Sequence, residues 1–205
     1  MLKPTSSDDM QIFILIGGIA SGKSTALASF KDFGIDCFRA DDIARECVTL
    51  DSPCYQAILA KCGPMILDKN KAINRALLRQ KMLHDQAFKS WLESLLHPEI
   101  RQRLIHQAVQ ASPPYCVLEI PLLKHQSDYP HSQVIYIHTT QDRQRAFLKS
   151  RHLSPAEIEA LLAIQIPEDI SLSLADIVIE NDGSLTDLKE KIHTFHRQYC
   201  ASHPI

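Results

Sequence analysis

Residues 12–25 read Ile-Phe-Ile-Leu-Ile-Gly-Gly-Ile-Ala-Ser-Gly-Lys-Ser-Thr. An unbroken apolar run, a glycine-rich turn, a lysine and two hydroxyl residues in that order leave few folds open. Ile12 to Ile16 is the pattern of a strand buried on both faces, as in a parallel sheet covered by helices. Gly17 to Ser24 fits G-x-x-x-x-G-K-[ST]. Glycines let such a loop turn tightly, so that several N–H groups converge on phosphate oxygens. The helix behind it adds its positive N-terminal end. Lys23 is placed to reach the β- and γ-phosphates of ATP, Ser24 to ligate Mg²⁺ and Thr25 to bond the α-phosphate. Gly18, Ala20, Ser21, Gly22, Lys23, Ser24 and Thr25 are therefore the expected nucleotide-binding set. The competing reading is a strand-to-helix turn with a chance lysine, and the strand before and helix after weigh against it.

The rest of the chain alternates strand and helix signals. Residues 1–11 are polar and expected to fray. A helix over Ser24–Phe33 is closed by Gly34, and Ile35–Phe38 is a second strand. Asp41 or Asp42 can cap a helix to about Val48, and Ser52-Pro53 starts another to about Lys61. Asn74 caps a helix over Arg75–Leu83. A longer helical stretch runs from Gln86 to Gln110, where Pro98 is expected to kink or restart it. Ser112-Pro113-Pro114 ends that stretch. Further strands are expected at Tyr115–Ile120, Val134–His138 and Ala175–Ile179, with helices at Gln141–Ser150, from Ser154-Pro155 to about Ile164, and over Leu185–Tyr199.

The expected fold is α/β: a three-layer P-loop kinase-like domain with a five-stranded parallel sheet between helices. The nucleotide-binding core spans 12–63 and 112–200, a helical insertion 64–111, and a lid region 140–170 within the core.

Composition bounds the function. The chain has 205 residues, 45% hydrophobic and 22% charged, with formal net charge −2. That is one globular domain by size, and it gives no bulk electrostatic case for nucleic acid. The longest apolar run is far short of the roughly 20 residues that cross a membrane. Six cysteines form no C-x-x-C pair, which fits reduced thiols and a cytoplasmic setting.

Among P-loop classes, a GTPase needs a guanine-reading N-K-x-D, and Asn70-Lys71-Ala72-Ile73 lacks the aspartate. A small chain with a helical insertion and a basic stretch suits a small-molecule kinase. Arg143, Arg145, Lys149 and Arg151 are candidate γ-phosphate cations on a closing lid; a solvated helix face is the alternative.

Six segments then resemble the dephospho-coenzyme A kinase family over about residues 12–190. They are the loop from Ile16 to Thr25, Arg39-Ala40-Asp41-Asp42-Ile43-Ala44-Arg45, Asn74-Arg75 with Leu78-Arg79, and Leu92-Glu93 followed by Leu96-His97-Pro98 and Ile100-Arg101. Pro121-Leu122-Leu123 and Ala175-Asp176-Ile177-Val178-Ile179 with Asn181 complete the set. The resemblance implies phosphorylation of the ribose 3′-hydroxyl of dephospho-coenzyme A by ATP, the last step of coenzyme A synthesis.

It further implies Asp41 as the carboxylate that orients the attacking hydroxyl, with Lys23 and Arg151 beside it as catalytic groups. Glu119 would serve magnesium, Asn181 the nucleotide, and Asp41, Arg75, Arg79, His97 and Arg101 the acceptor. Arg39, His125 and Phe147 depart from the family pattern, as does Ala20 in the loop. Another small-molecule or nucleoside monophosphate kinase, or a catalytically weakened nucleotide-binding homologue, are the alternative readings.

Overall fold

The computed structural model describes residues 10–112, 114–123 and 125–203. Most of the expected frayed start and Pro113 lie outside the described residues. Five strands form a parallel sheet in the order β2-β3-β1-β4-β5. These are β1 (Gln11–Gly17), β2 (Asp36–Arg39), β3 (Tyr115–Glu119), β4 (Ser132–His138) and β5 (Ile177–Glu180). The central strand β1 pairs with β3 from Gln11↔Tyr115 to Leu15↔Glu119, and with β4 from Ile12↔Ser132 to Gly17↔Ile137. Phe13, Ile14 and Leu15 are at most 1% exposed, so both faces of β1 are covered, as the unbroken apolar run requires.

Nine α-helices are described. They are α1 (Lys23–Asp32), α2 (Ala40–Cys47), α3 (Pro53–Cys62), α4 (Arg75–His84), α5 (Gln86–Val109), α6 (Gln141–Ser150), α7 (Pro155–Ala163), α8 (Glu168–Leu174) and α9 (Leu185–Ser202). Residues up to Phe38 together with Gln107 onward form one compact unit, and Arg39–His106 form a second.

In the first unit, α1 and α9 lay Ala26, Leu27, Phe30, Leu188 and Ile192 against Phe13, Leu15, Tyr115, Val117, Ile135 and Ile137. The Phe13 and Phe30 rings meet Tyr115 and Phe195 there edge to face, and Tyr199 meets Phe13 and Tyr115 in the same way. Each such pair adds about 0.5–1.5 kcal/mol beyond its buried area. Helix α1 ends at Gly34 (φ +78°), where Gly34 N–H donates to Lys31 O at 2.9 Å and Ile35 N–H to Phe30 O at 3.2 Å. That is the double bond pattern of a glycine-closed helix end.

The second unit has its own core of Tyr55, Ile58, Ile66, Ile73, Leu78, Phe88 and Leu92. Because α3 supplies Tyr55 and Ile58 to that core, the unit takes in α2 and α3 as well as residues 64–106 of the stretch expected for the insertion, while 107–111 fall in the first unit. Ser52 accepts from Tyr55 N–H at 3.0 Å, and Asn74 from Ala76 and Leu77 N–H at 3.1 and 3.2 Å, so both expected caps form.

Two local expectations fail, and one helix carried no expectation. Helix α2 is capped by Arg39 in an extended conformation, which places Asp41 and Asp42 inside its first turn rather than at the cap. There their carboxylates complement the helix dipole. Helix α5 runs through Pro98 as one element, without the restart that proline suggested. And α8 had no sequence signal: it is seven residues long and has no side-chain cap.

Candidate functional site

The end of β1 hands the chain to the glycine loop, and the loop hands it to α1. Gly22 stands at the N-cap with φ 102° and ψ 8°, and no side chain caps the helix. The first turn of α1 is thereby left facing a pocket, as an anion site at a helix N-terminus requires. Residues Ala20 to Thr25 form one wall of that pocket, with Arg143, Phe147, Arg151, Asn181, Gly183, Leu185 and Leu188 opposite; its volume is about 310 Å³. Lys23 folds along the loop, donating from Nζ to Gly17 O and Gly18 O at 2.7 Å each.

Ala20 takes φ 58°, a left-handed conformation that a glycine holds without strain. Ser21 is buried, its Oγ has no hydrogen-bond partner among the described residues, and its carbonyl accepts from Asn181 Nδ2 at 2.8 Å. Asn181 is itself fixed, because its N–H donates to His138 O at 2.7 Å and its carbonyl accepts from Thr139 Oγ1 at 3.0 Å. Ser24 sits exposed at the start of α1. Gly18 does not line the pocket; its carbonyl faces Lys23 and its Cα lies beneath Gln144 and Gln165.

The basic stretch divides in two. Arg143 donates from Nη1 to Asp182 O at 2.5 Å and from Nη2 to Gly183 O, bracing the turn that forms the pocket's far side. The Arg151 guanidinium lies 4.6 Å from the Phe147 ring centre, and both residues line the pocket. Arg145 is committed elsewhere, to Glu159 at 2.8 Å and Asp142 at 3.6 Å, and does not line it.

Glu119 is buried at the end of β3, level with Leu15 of β1. No group of three or more His, Cys, Asp or Glu side chains among the described residues forms a ready metal cage. The donors here fit a hard cation held largely by phosphate oxygens, with a hydroxyl and one acid in support.

Beside the pocket, His138 at the end of β4 bonds Glu180 Oε2 through Nδ1 at 2.5 Å and Glu168 Oε1 through Nε2 at 2.9 Å. The bond to Glu180 is the main reason its pKa is raised.

The remaining expected residues belong to the second unit. Asp41 is exposed in the first turn of α2. Its neighbour Asp42 pairs with Arg45 at 2.6 Å and Arg39 at 3.8 Å, so the departure at Arg39 is matched by a local carboxylate. Arg75 and Arg79 are exposed and four apart on α4. His97 and Arg101 stand four apart on α5, so each pair shares a helix face.

Sequence reasoning passed over Gln165 and the pocket roles of Gly183, Leu185 and Leu188. The first acts across 146 residues, and the others carry no chemistry that a motif would flag.

The family model described as dephospho-CoA kinase matches residues 11–187. A dephospho-CoA kinase from Legionella pneumophila (strain Lens) is 36% identical over 187 residues, covering 90% of this chain and 93% of that protein. One from Idiomarina loihiensis is 36% identical over 188 residues, covering 91% and 93%. Among solved structures, a Thermus thermophilus protein superimposes with TM-score 0.74 at 26% identity, covering 92% of this chain and 97% of the other. A dephospho-CoA kinase from Campylobacter jejuni shares the fold with TM-score 0.71 at 24% identity, covering 94% and 99%.

Proposed function

The chain belongs to the dephospho-CoA kinase family, and from that membership we propose how its residues carry the reaction. The γ-phosphoryl group of ATP passes to the ribose 3′-hydroxyl of dephospho-coenzyme A, giving coenzyme A and ADP. The observation that carries the reading is the uncapped start of α1 opening onto a pocket walled by the glycine loop, Arg143 and Arg151.

The loop amides and Lys23 bind the β- and γ-phosphates, and Thr25 the α-phosphate. Asn181 supports the loop from behind through Ser21 O. Arg151, steadied by Phe147, adds positive charge where negative charge develops in the transition state. Mg²⁺, when bound, neutralises phosphate charge; the Ser24 hydroxyl would hold it, with Glu119 acting through a bound water. Asp41 orients the acceptor hydroxyl and takes its proton as the oxygen bonds to the γ-phosphorus and the bond to the β–γ bridging oxygen breaks. Arg75, Arg79, His97 and Arg101 bind the acceptor from the helical insertion, and residues 140–170 act as the lid.

The test is a phosphorylation assay with dephospho-coenzyme A beside AMP, CMP and UMP. Turnover of dephospho-coenzyme A alone is expected. Lys23→Ala and Asp41→Asn should each lower kcat by about 10²–10³-fold, the scale of a lost transition-state contact. Turnover of a nucleoside monophosphate without dephospho-coenzyme A, or near-normal kcat in either variant, overturns the reading.

A further inference from the structure

Ile19 is the third residue of the phosphate loop, and its N–H donates to Gln165 Oε1 at 2.6 Å. Gln165 lies 146 residues away, in the link between α7 and α8. Behind it stands Gln144 of α6, buried, with its carboxamide 3.5 Å from that of Gln165 on both nitrogen–oxygen pairs. Gly18 makes room for the two: a Cβ there would collide with Gln165 Oε1 and Gln144 Nε2. Two neutral carboxamides are thus seated on the backbone of a loop built to receive anions.

The consequence runs through one peptide unit. The Gly18 carbonyl and the Ile19 N–H belong to the same planar group and, in a trans peptide, point in opposite directions. Holding the N–H toward Gln165 turns the carbonyl the other way, and Gly18 O accepts from Lys23 Nζ at 2.7 Å. Ser21 N–H also donates to that oxygen, at 3.3 Å. Rotation of this peptide would remove one of the two carbonyls that hold the lysine head and would leave the Ile19 amide without its acceptor. A glutamate at 165 would keep the acceptor but add negative charge next to the phosphate site; glutamine supplies the oxygen without the charge.

We propose that Gln165 is a positioning residue for phosphoryl transfer, fixing the Gly18–Ile19 peptide so that its carbonyl sets the place of Lys23, with Gln144 holding the Gln165 carboxamide in register. The inference rests on the reading above that Lys23 meets the nucleotide phosphates. It assigns to the α7–α8 link a task distinct from supplying cations.

The test is a double-mutant cycle on nucleotide affinity, read by titration calorimetry with ATP in the presence of Mg²⁺, on wild type, Gln165→Leu, Lys23→Met and the double variant. Gln165→Leu is expected to weaken ATP binding by about tenfold, the cost of one lost bond to a well-placed donor. In the Lys23→Met background the same change should have at most about a twofold effect, since the group it positions is gone. Steady-state kinetics of Gln165→Leu should show a lower kcat and a raised KM for ATP, with KM for dephospho-coenzyme A unchanged. Gln144→Leu, which leaves the Gln165 oxygen available, should act in the same sense but more weakly, and serves in its place if Gln165→Leu does not fold.

Normal ATP affinity and kinetics in Gln165→Leu overturn the proposal. So does a loss of equal size with and without Lys23, which would make the effect merely structural. Failure of the wild-type protein to bind ATP would instead overturn the kinase reading itself.

Discussion

Replacing Gly22 by alanine isolates the loop's dependence on a backbone that other residues avoid. At φ 102° a side-chain-bearing residue is strained, by about 1–2 kcal/mol for left-handed geometry. Space adds a second cost. A Cβ at position 22 would stand 2.6 Å from Asn181 Nδ2 and 2.9 Å from Leu188 Cδ2. Neither neighbour yields easily: Asn181 donates to Ser21 O, and Leu188 of α9 is buried in the core. Overpacking of this kind costs about 1–3 kcal/mol. The two together give about 2–5 kcal/mol, or a fall in Tm of about 4–20 °C for a chain of this size.

Urea denaturation of Gly22→Ala, followed by far-UV circular dichroism, measures the loss, and ADP titration measures the damage to the pocket. The decisive measurement is the same substitution in an Asn181→Ala background. Removing the Asn181 side chain abolishes the closer clash but leaves the strain and the Leu188 contact. The double variant should therefore be more stable than additivity gives, by about 1 kcal/mol. Strict additivity, or a Gly22→Ala protein within about 0.5 kcal/mol of its parent, would refute the argument that the glycine is required by both geometry and neighbours.

Protonated His138 bridges Glu180 and Glu168, and its raised pKa ties this bridge to pH. Its contribution is complete below the ordinary histidine value of about 6.5 and is lost as pH rises through the higher folded-state value; the Tm gap between wild type and His138→Gln should therefore shrink from pH 6 to pH 9, and a constant gap would contradict it. His196 runs the other way. Burial lowers its pKa while Tyr115 Oη lies 2.9 Å from its Nδ1, so its share of stability falls as pH drops below about 6.5, and His196→Phe should flatten the acid side of the Tm profile. Burial pushes the Cys37 and Cys116 thiols up to about 12, so neither should react with iodoacetamide in the native protein at pH 8, as peptide mapping by mass spectrometry would check. Phe147→Ala removes the ring under Arg151, worth about 0.5–1 kcal/mol, and should raise KM for ATP by about two- to fivefold, with Phe147→Trp restoring it.

The residues that announced the fold did so through local chemistry. The apolar run of β1, the glycine loop, the Ser52 and Asn74 caps and the helix start at Ser154-Pro155 are all short-range patterns, and each is found where it was expected. Expectations failed where a choice depended on tertiary surroundings. Asp41 and Asp42 both looked like caps, yet Arg39 takes the extended conformation at the strand's end and shifts the helix start ahead of them. Pro98 is tolerated within α5 although proline lacks the N–H a helix uses.

In the site, motif residues were legible because phosphate binding imposes spacing. The division of the basic stretch was not. Arg143, Arg145 and Arg151 look alike in sequence, and only the positions of Asp182, Glu159 and Phe147 separate a brace, a surface ion pair and a pocket cation.

The central place of β1 also has a meaning for how the chain comes to be folded. Its partners on either side are β3 and β4, and its loop is buttressed by Asn181, 160 residues beyond Ser21. Such non-local closure makes for slow folding, because loop entropy is lost before the contacts form. During synthesis at about 5–20 residues per second, the strand emerges ahead of both neighbours and waits on the order of ten seconds for them. Over that interval an apolar ribbon with two open edges is exposed to whatever else is nearby. The strand that later presents the phosphate loop is thus, at birth, a segment in need of shielding.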